Sequence, residues 1–107
     1  MNQWTKASMA ALLLGGMAVT GLASAQGSAE AGADKIATCV ACHGEDGKAT
    51  ADIYPNLSGQ SATYLESSLK AYRDGQRSGG MSAVMTPQAT NLSDQDISDI
   101  AAYYSQQ

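Results

Sequence analysis

The chain has no phenylalanine, and its single tryptophan, Trp4, stands near the amino terminus. Basic residues are also few: six lysines and arginines stand against ten acidic residues, which gives a formal charge of −4. Nucleic-acid binding requires a basic surface that neutralises phosphates, so this charge balance argues against it. With so few large apolar side chains the 107 residues can build only a small core. Domains of this size usually need an additional source of stability.

Cysteine and histidine are almost absent too, and the few that occur stand together. The only two cysteines and the only histidine form Cys39-Val40-Ala41-Cys42-His43. Cys-x-x-Cys-His is the attachment pattern for a c-type haem. Positions i, i+3 and i+4 of a helix share a face, so Cys39, Cys42 and His43 can converge on one flat ligand. The motif predicts one covalent haem c, held by two thioethers, with His43 as a ligand of its iron.

Three other chemistries use such cysteines. A thiol–disulfide oxidoreductase carries Cys-x-x-Cys after a strand in a βαβ unit, but no strand pattern precedes Cys39. A structural zinc site takes four ligands, one more than Cys39, Cys42 and His43 provide. A disulfide between cysteines one helical turn apart would have awkward geometry. The haem interpretation is favoured over all three.

The first 25 residues have the pattern of a secretory signal peptide. Lys6 supplies the positive start, residues 9–19 form an apolar run, and Ala23-Ser24-Ala25 is a small-residue cleavage site before Gln26. The run is shorter than the ~20 apolar residues of a membrane span, so cleavage is favoured over a permanent membrane anchor. Cleavage after Ala25 predicts a periplasmic protein with a single domain over residues 26–107.

The predicted mature chain is more acidic than the whole, because Lys6 is removed with the signal. Five basic and ten acidic residues remain, a formal charge of −5. Such a surface favours a partner with a basic docking surface. Acidity also keeps a small exported protein soluble, and the two explanations are compatible.

Helical periodicity occurs in three parts of the mature chain, and no segment has the clear alternation of a strand. The first helix is expected to run from about Ala29 through Ile36 into the haem motif, with Gly32 marking the close approach of another helix. The second covers 61–74, and its apolar stripe is interpreted as a wall against the haem: Tyr64, Leu65, Leu69 and Tyr72. The third begins at the N-cap Ser93. We therefore predict an all-α fold, with about three main helices plus loops around one covalent haem.

Two loops are expected to complete the iron site. Pro55 offers a carbonyl, the kind of group to which a ligating histidine donates its second ring N–H. The segment 81–87 is expected to be a loop that carries Met81 and Met85, and a thioether opposite histidine suits an electron-transfer iron. Periodicity and spacing do not choose between the two methionines. Arg77 can pair a haem propionate or be an ordinary solvated arginine.

Together these segments resemble a class I cytochrome c, and within it the small c553-type proteins that are similar to one half of the two-haem cytochrome c4. The resemblance covers residues 28–107. It is carried by five segments: 39–44, 54–60, Met85-Thr86, the helix start at 92–94, and 101–104. It implies that Met85 is the axial methionine, with Met81 as the spare, and that the Pro55 carbonyl holds the ligand histidine.

The resemblance also assigns roles around the haem. It implies that Gly32 and Ile36 cross the last helix at Ile100 and Tyr103, and that Arg77 lies near a propionate. One departure is that no tryptophan is available to hydrogen-bond a propionate; the candidates to replace it are Tyr64, Tyr72 and Gln60. A single haem motif excludes a two-haem function for this chain alone.

The implied function is that of a periplasmic one-electron carrier between larger periplasmic or membrane-bound redox proteins, and not of an enzyme. His43 and Met85 would fill both axial positions of the iron. One alternative keeps the haem and makes the chain a fixed subunit of a periplasmic dehydrogenase or reductase. The other, which is disfavoured, is a thiol–disulfide oxidoreductase that uses Cys39 and Cys42.

Overall fold

The computed structural model describes residues 15–16 and 26–107, and the regular secondary structure in this part of the chain is entirely helical. The predicted all-α class is confirmed. Five helices follow in order: α1 (Ala29–Ala33), α2 (Ala37–His43), α3 (Ala62–Arg73), α4 (Ser82–Ala89) and α5 (Asp94–Ser105). The predicted signal peptide, except for Gly15 and Gly16, lies outside the described residues. Among the described helices, none is both long enough and apolar enough to cross a membrane.

The first and last helices, α1 and α5, cross at Gly32. A Cβ atom at this position would collide with the carbonyl oxygen of Asp99 and would lie 2.8 Å from the Cβ of Tyr103. Only a residue without a side chain allows the two backbones to come this close. The predicted close approach of another helix at Gly32 is therefore confirmed.

A small core forms where α3 and α5 meet the start of α2. Its buried members are Ile36, Leu65, Ile100, Ala101 and Tyr104. Cys39 packs against this cluster from α2, so the core and the haem motif adjoin each other. The core is small because the chain has few large apolar side chains, as its composition predicts.

The last helix, α5, begins at the predicted N-cap. The Ser93 hydroxyl accepts a hydrogen bond from the Asp96 N–H at 3.0 Å, and the Asp96 carboxylate accepts one from the Ser93 N–H at 3.0 Å. This reciprocal capping box satisfies two backbone donors at the helix end. It fixes the start of the helix that covers the core.

The first helical segment is not continuous, which corrects the prediction of one helix from Ala29 into the haem motif. α1 ends at Ala33, and α2 begins at Ala37. The N–H of Asp34 donates to the Ala31 carbonyl and the N–H of Lys35 donates to the Gly32 carbonyl. Ile36 has φ −97° and ψ 8°, so the chain tightens into a turn. No proline or glycine lies at residues 34–36, so the helical periodicity of the sequence continues across the turn and does not indicate the break.

The methionine segment is a helix and not the predicted loop. α4 spans Ser82–Ala89 and includes Pro87, which cannot donate a backbone hydrogen bond. The Thr86 hydroxyl adds one hydrogen bond within the helix, because it donates to the Ser82 carbonyl at 3.1 Å. Ala89, which is fully buried, anchors the end of the helix. Tertiary packing therefore maintains a helix that the proline alone would disfavour.

Candidate functional site

The residues of the haem motif lie together on α2. Cys39 and Cys42 are partly buried, are not joined in a disulfide, and stand one turn apart on the helix that ends with His43. His43 itself is buried, with 6% of its surface exposed. After His43 the chain turns at Gly44, whose φ of 74° is in the left-handed region that favours glycine. The helix therefore ends directly after the ligand candidate.

The Pro55 carbonyl fixes the orientation of the histidine ring. His43 Nδ1 lies 2.8 Å from the Pro55 oxygen, which is the contact that the sequence predicts. A carbonyl can only accept, so Nδ1 carries the proton and donates. The lone pair of the neutral ring is then on Nε2, the nitrogen that remains free to bind a metal.

Hydrogen bonds from the preceding turn hold Pro55 in place. The Gly47 carbonyl accepts from the N–H of Leu57 at 2.7 Å and from that of Ser58 at 3.0 Å. The side-chain oxygen of Asn56 accepts from the Ala49 N–H at 2.7 Å. The segment that follows the proline is therefore tied to the turn at residues 47–49.

Two adjoining cavities, of about 210 and 270 Å³, extend from His43 into the molecule. Their shared lining residues are Cys39, His43, Pro55, Tyr72 and Met85. Cys42 lines the second cavity only. The two cavities thus form one groove whose lining includes both cysteines, the histidine and two methionines, of which only Met85 lines both cavities. This donor set, with a largely apolar lining, fits a covalently attached haem.

The two methionines differ in their position relative to the groove. Met85 lies inside α4, is partly buried and lines both cavities. Met81 is the residue before α4, is 53% exposed and lines the second cavity only. The helix therefore places the sulfur-bearing side chain of Met85 deeper than that of Met81.

Helix α3 forms one side of the first cavity. All four residues of its predicted stripe, Tyr64, Leu65, Leu69 and Tyr72, line this cavity. Gln60 and Arg77 line it as well, so every polar residue proposed for a propionate borders the same space. Tyr64 remains 50% exposed, which places it at the rim.

Two tyrosines of α5 cap the backbone that follows the haem motif, a role that sequence patterns did not reveal. The hydroxyl of Tyr104 donates to the Gly44 carbonyl at 2.8 Å in a buried contact. The hydroxyl of Tyr103 donates to the Glu45 carbonyl at 2.6 Å in an exposed contact. Burial raises the pKa of Tyr104 well above its usual value, so this hydroxyl remains a donor.

A buried carboxylate on α5 forms a second unpredicted group. Asp99 is 2% exposed and accepts from Lys35 Nζ at 2.7 Å, the Ser28 N–H at 2.8 Å and Gln95 at 2.9 Å. The hydrogen bond from Lys35, with those from Ser28 and Gln95, lowers the pKa of Asp99 to about 2. Lys35 also pairs with Asp96 at 2.9 Å. The network joins the turn before α2 to the last helix.

The surroundings of the cysteines help to distinguish haem attachment from thiol–disulfide exchange and from a structural zinc site. Burial raises the pKa of the Cys39 thiol, whereas a redox-active Cys-x-x-Cys depends on a lowered thiol pKa. Within the described part of the chain, no group of three or more His, Cys, Asp and Glu residues is placed to hold a metal ion by itself. The burial of Cys39 therefore disfavours thiol exchange.

Comparison with known proteins identifies relatives of the whole predicted mature chain. A family profile described as Cytochrome c matches residues 24–107. Cytochrome c-554(548) of Halomonas halodenitrificans is 74% identical over 81 residues, which are 76% of this chain and 98% of that protein. Cytochrome c4 of Pseudomonas aeruginosa is 47% identical over 91 residues, which are 85% of this chain and 44% of that protein. The chain spans almost all of the first relative and somewhat less than half of the second.

Solved structures with the same fold include a cytochrome c4 and a thiosulfate dehydrogenase. Reduced cytochrome c4 from Pseudomonas stutzeri superimposes with a TM-score of 0.61 at 42% identity, over 76% of this chain and 46% of that one. Thiosulfate dehydrogenase from Marichromatium purpuratum gives a TM-score of 0.67 at 31% identity, over 74% of this chain and 19% of that one.

Proposed function

We propose a specific role for this chain, which belongs to the cytochrome c family and carries covalent haem c. It is a monohaem electron carrier of the periplasm whose iron has His43 and Met85 as its two axial ligands. The observation that carries the proposal is the 2.8 Å hydrogen bond from His43 Nδ1 to the Pro55 oxygen, in a groove that both His43 and Met85 line.

The bound haem supplies a one-electron couple between ferrous and ferric iron. Cys39 and Cys42 would hold it through thioethers, and Pro55 keeps the His43 ring in the tautomer that leaves Nε2 free. Met85 would supply a soft sulfur ligand, which would raise the reduction potential. If His43 and Met85 both bind the iron, no position would be left there for a substrate, and the chain would need no catalytic acid or base.

The charge of the chain supports encounters with basic redox partners. After cleavage behind Ala25, five basic and ten acidic residues remain. Both cysteines line the second cavity, and no charged residue is found among the described residues that line it. The acidic side chains therefore steer the partner from a distance and do not form the contact beside the thioethers.

The first test is the mass and colour of protein matured in a host that attaches haem. We expect one porphyrin that acidified organic solvent does not extract, and a low-spin spectrum. The mass of the polypeptide is expected to match a chain whose first residue is Gln26. Colourless protein, or pigment that is extracted, would contradict haem attachment at Cys39 and Cys42. A mass that includes residues before Gln26 would contradict only the proposed cleavage site.

The second test distinguishes the two methionines. Met85→Ala is expected to abolish the absorption feature of methionine-ligated ferric iron, because it removes the deeper thioether. Met81→Ala is the matched control, since it truncates the same side chain four positions earlier, and it is expected to keep the feature. The reverse result would assign the ligand to Met81.

A second role is supported by the thiosulfate dehydrogenase match at 31% identity. In that case the chain would be the electron-transfer subunit of a periplasmic dehydrogenase or reductase. A fixed subunit elutes from gel filtration of native extract with a larger enzyme, whereas a free carrier elutes at the size of a single small domain.

A further inference from the structure

The arginine beside the groove differs from most other basic residues in its partners. Lys35, Lys70 and Arg73 each form an ion pair with a carboxylate. Within the described residues, Arg77 forms none, although it lines the first cavity. Its positive charge is therefore not neutralised by the protein around it.

The aromatic residue Tyr72 holds the Arg77 guanidinium in two ways. Arg77 Nη1 donates to the Tyr72 hydroxyl at 3.0 Å. The guanidinium carbon also lies 4.8 Å from the centre of the Tyr72 ring, within the range of a cation–π contact. The hydrogen bond and the cation–π contact together hold the Arg77 guanidinium against Tyr72.

The loop that carries Arg77 supplies little other restraint. Residues 74–80 are all exposed, and three of them are glycines with positive φ. The loop backbone is tied to α3 at its start, where the Ala71 carbonyl accepts from the Arg77 N–H at 3.3 Å. Tyr72, in contrast, lies on α3 and lines both cavities. The rigid helix therefore positions the guanidinium through the tyrosine.

We propose that Tyr72 is a positioning residue, which holds the charge of Arg77 at the wall of the groove so that this charge raises the reduction potential. The inference rests on the proposed function, because it requires a redox centre in the groove. Reduction adds one negative charge to the centre, and a nearby cation stabilises the reduced form. The carboxylate-paired Arg73 cannot act in this way, since two acidic side chains neutralise it.

The expected effect follows from Coulomb's law. A unit charge roughly 10 Å from a redox centre, at an effective dielectric constant of about 20–80, changes a one-electron equilibrium by about two- to fifteenfold. At 59 mV per tenfold change for a one-electron couple, this corresponds to about 18–70 mV. Arg77→Gln is therefore expected to lower the midpoint potential by an amount in this range.

A double-mutant cycle on the midpoint potential of the holoprotein tests the role of Tyr72. Tyr72→Leu, which removes both contacts, is expected to lower the potential in the wild-type background and to have a much smaller effect in the Arg77→Gln background. Tyr72→Phe keeps the ring and is expected to cause a smaller decrease than Tyr72→Leu. Lys48→Gln, which removes the same charge from a residue that lines neither cavity, controls for net charge.

The outcomes separate the inference from the proposed function. Equal effects of Tyr72→Leu in the two backgrounds would show that the tyrosine acts directly and would overturn the positioning role. A decrease for Arg77→Gln no larger than that for Lys48→Gln would overturn the role of the arginine. If Tyr72→Leu does not fold, the same cycle with Tyr72→Phe decides. A wild-type protein without covalent haem or a reversible couple would overturn the proposed function itself, and this inference with it.

Discussion

The two tyrosine caps of α5 permit a matched prediction about stability. Tyr104→Phe and Tyr103→Phe each remove one hydroxyl and keep the ring, so the edge-to-face contact of the two rings, 5.1 Å between centres, is retained. The hydroxyls donate to neighbouring carbonyls, those of Gly44 and Glu45. The two substitutions therefore differ chiefly in whether the carbonyl that loses its hydrogen bond is buried, as for Gly44, or exposed, as for Glu45.

Burial determines the expected magnitudes. Tyr104 is 1% exposed and Gly44 is buried, so water cannot replace the lost donor. An unsatisfied buried carbonyl costs about 1–3 kcal/mol, and we expect Tyr104→Phe to lower the free energy of unfolding by about 2 kcal/mol. The carbonyl of Glu45 is exposed and can bond to water, so Tyr103→Phe is expected to cost about 0.5 kcal/mol or less.

Equilibrium unfolding of the ferric holoproteins in urea, followed by far-UV circular dichroism, measures both changes. With a slope of about 1–3 kcal/mol per molar urea, a loss of 2 kcal/mol moves the midpoint by about 0.7–2 M. The midpoint for Tyr103→Phe is expected to remain near that of the wild type. Equal shifts for the two variants, or no shift for Tyr104→Phe, would refute the argument that burial of the Gly44 carbonyl sets the cost.

Three further predictions concern the helix crossing, the buried carboxylate and the surface charge. Gly32→Ala is expected to destabilise the protein by about 1–3 kcal/mol through overpacking, whereas the same change in an open helix would stabilise it by up to about 1 kcal/mol; a stabilised variant would contradict the crossing. Because the folded pKa of Asp99 is about 2 and its ordinary value is 3.8, its contribution to stability is present above about pH 4 and is lost as the pH falls towards 2. Asp99→Asn should therefore be less stable than the wild type at pH 6 and approach it near pH 2 in urea unfolding, and parallel pH profiles would exclude this linkage. Electron-transfer rates with a basic partner are expected to fall as ionic strength rises from about 0.01 to 0.15 M, and a flat stopped-flow profile would rule out steering.

Local pattern was sufficient for the centre of the site. The motif Cys39–His43, the carbonyl at Pro55 and the stripe on α3 each follow from spacing and from the chemistry of single residues, and the structure brings them to one groove. Gly32 was informative for a similar reason, because a glycine inside a helix has few explanations other than close packing. The all-α class followed from periodicity.

Features that depend on distant residues or on weak local preferences were not predictable in the same way. The turn between α1 and α2 contains no breaker residue, and α4 forms despite Pro87 because it packs on the rest of the fold. Two of the partners of Asp99, Ser28 and Lys35, precede it by 71 and 64 residues, and the Gly44 carbonyl precedes Tyr104 by 60. Nothing in the neighbourhood of such a residue indicates which distant group it will meet.

These long separations also set an order of events during the making of the chain. The contacts of α5 with Ser28 and Gly44, which lie 71 and 60 residues before their partners, form only after the intervening residues have been synthesised. Until α5 arrives, Cys39 lacks the core residues of that helix against which it packs. The chain order thus delays closure of the core beside Cys39 until the last helix is available.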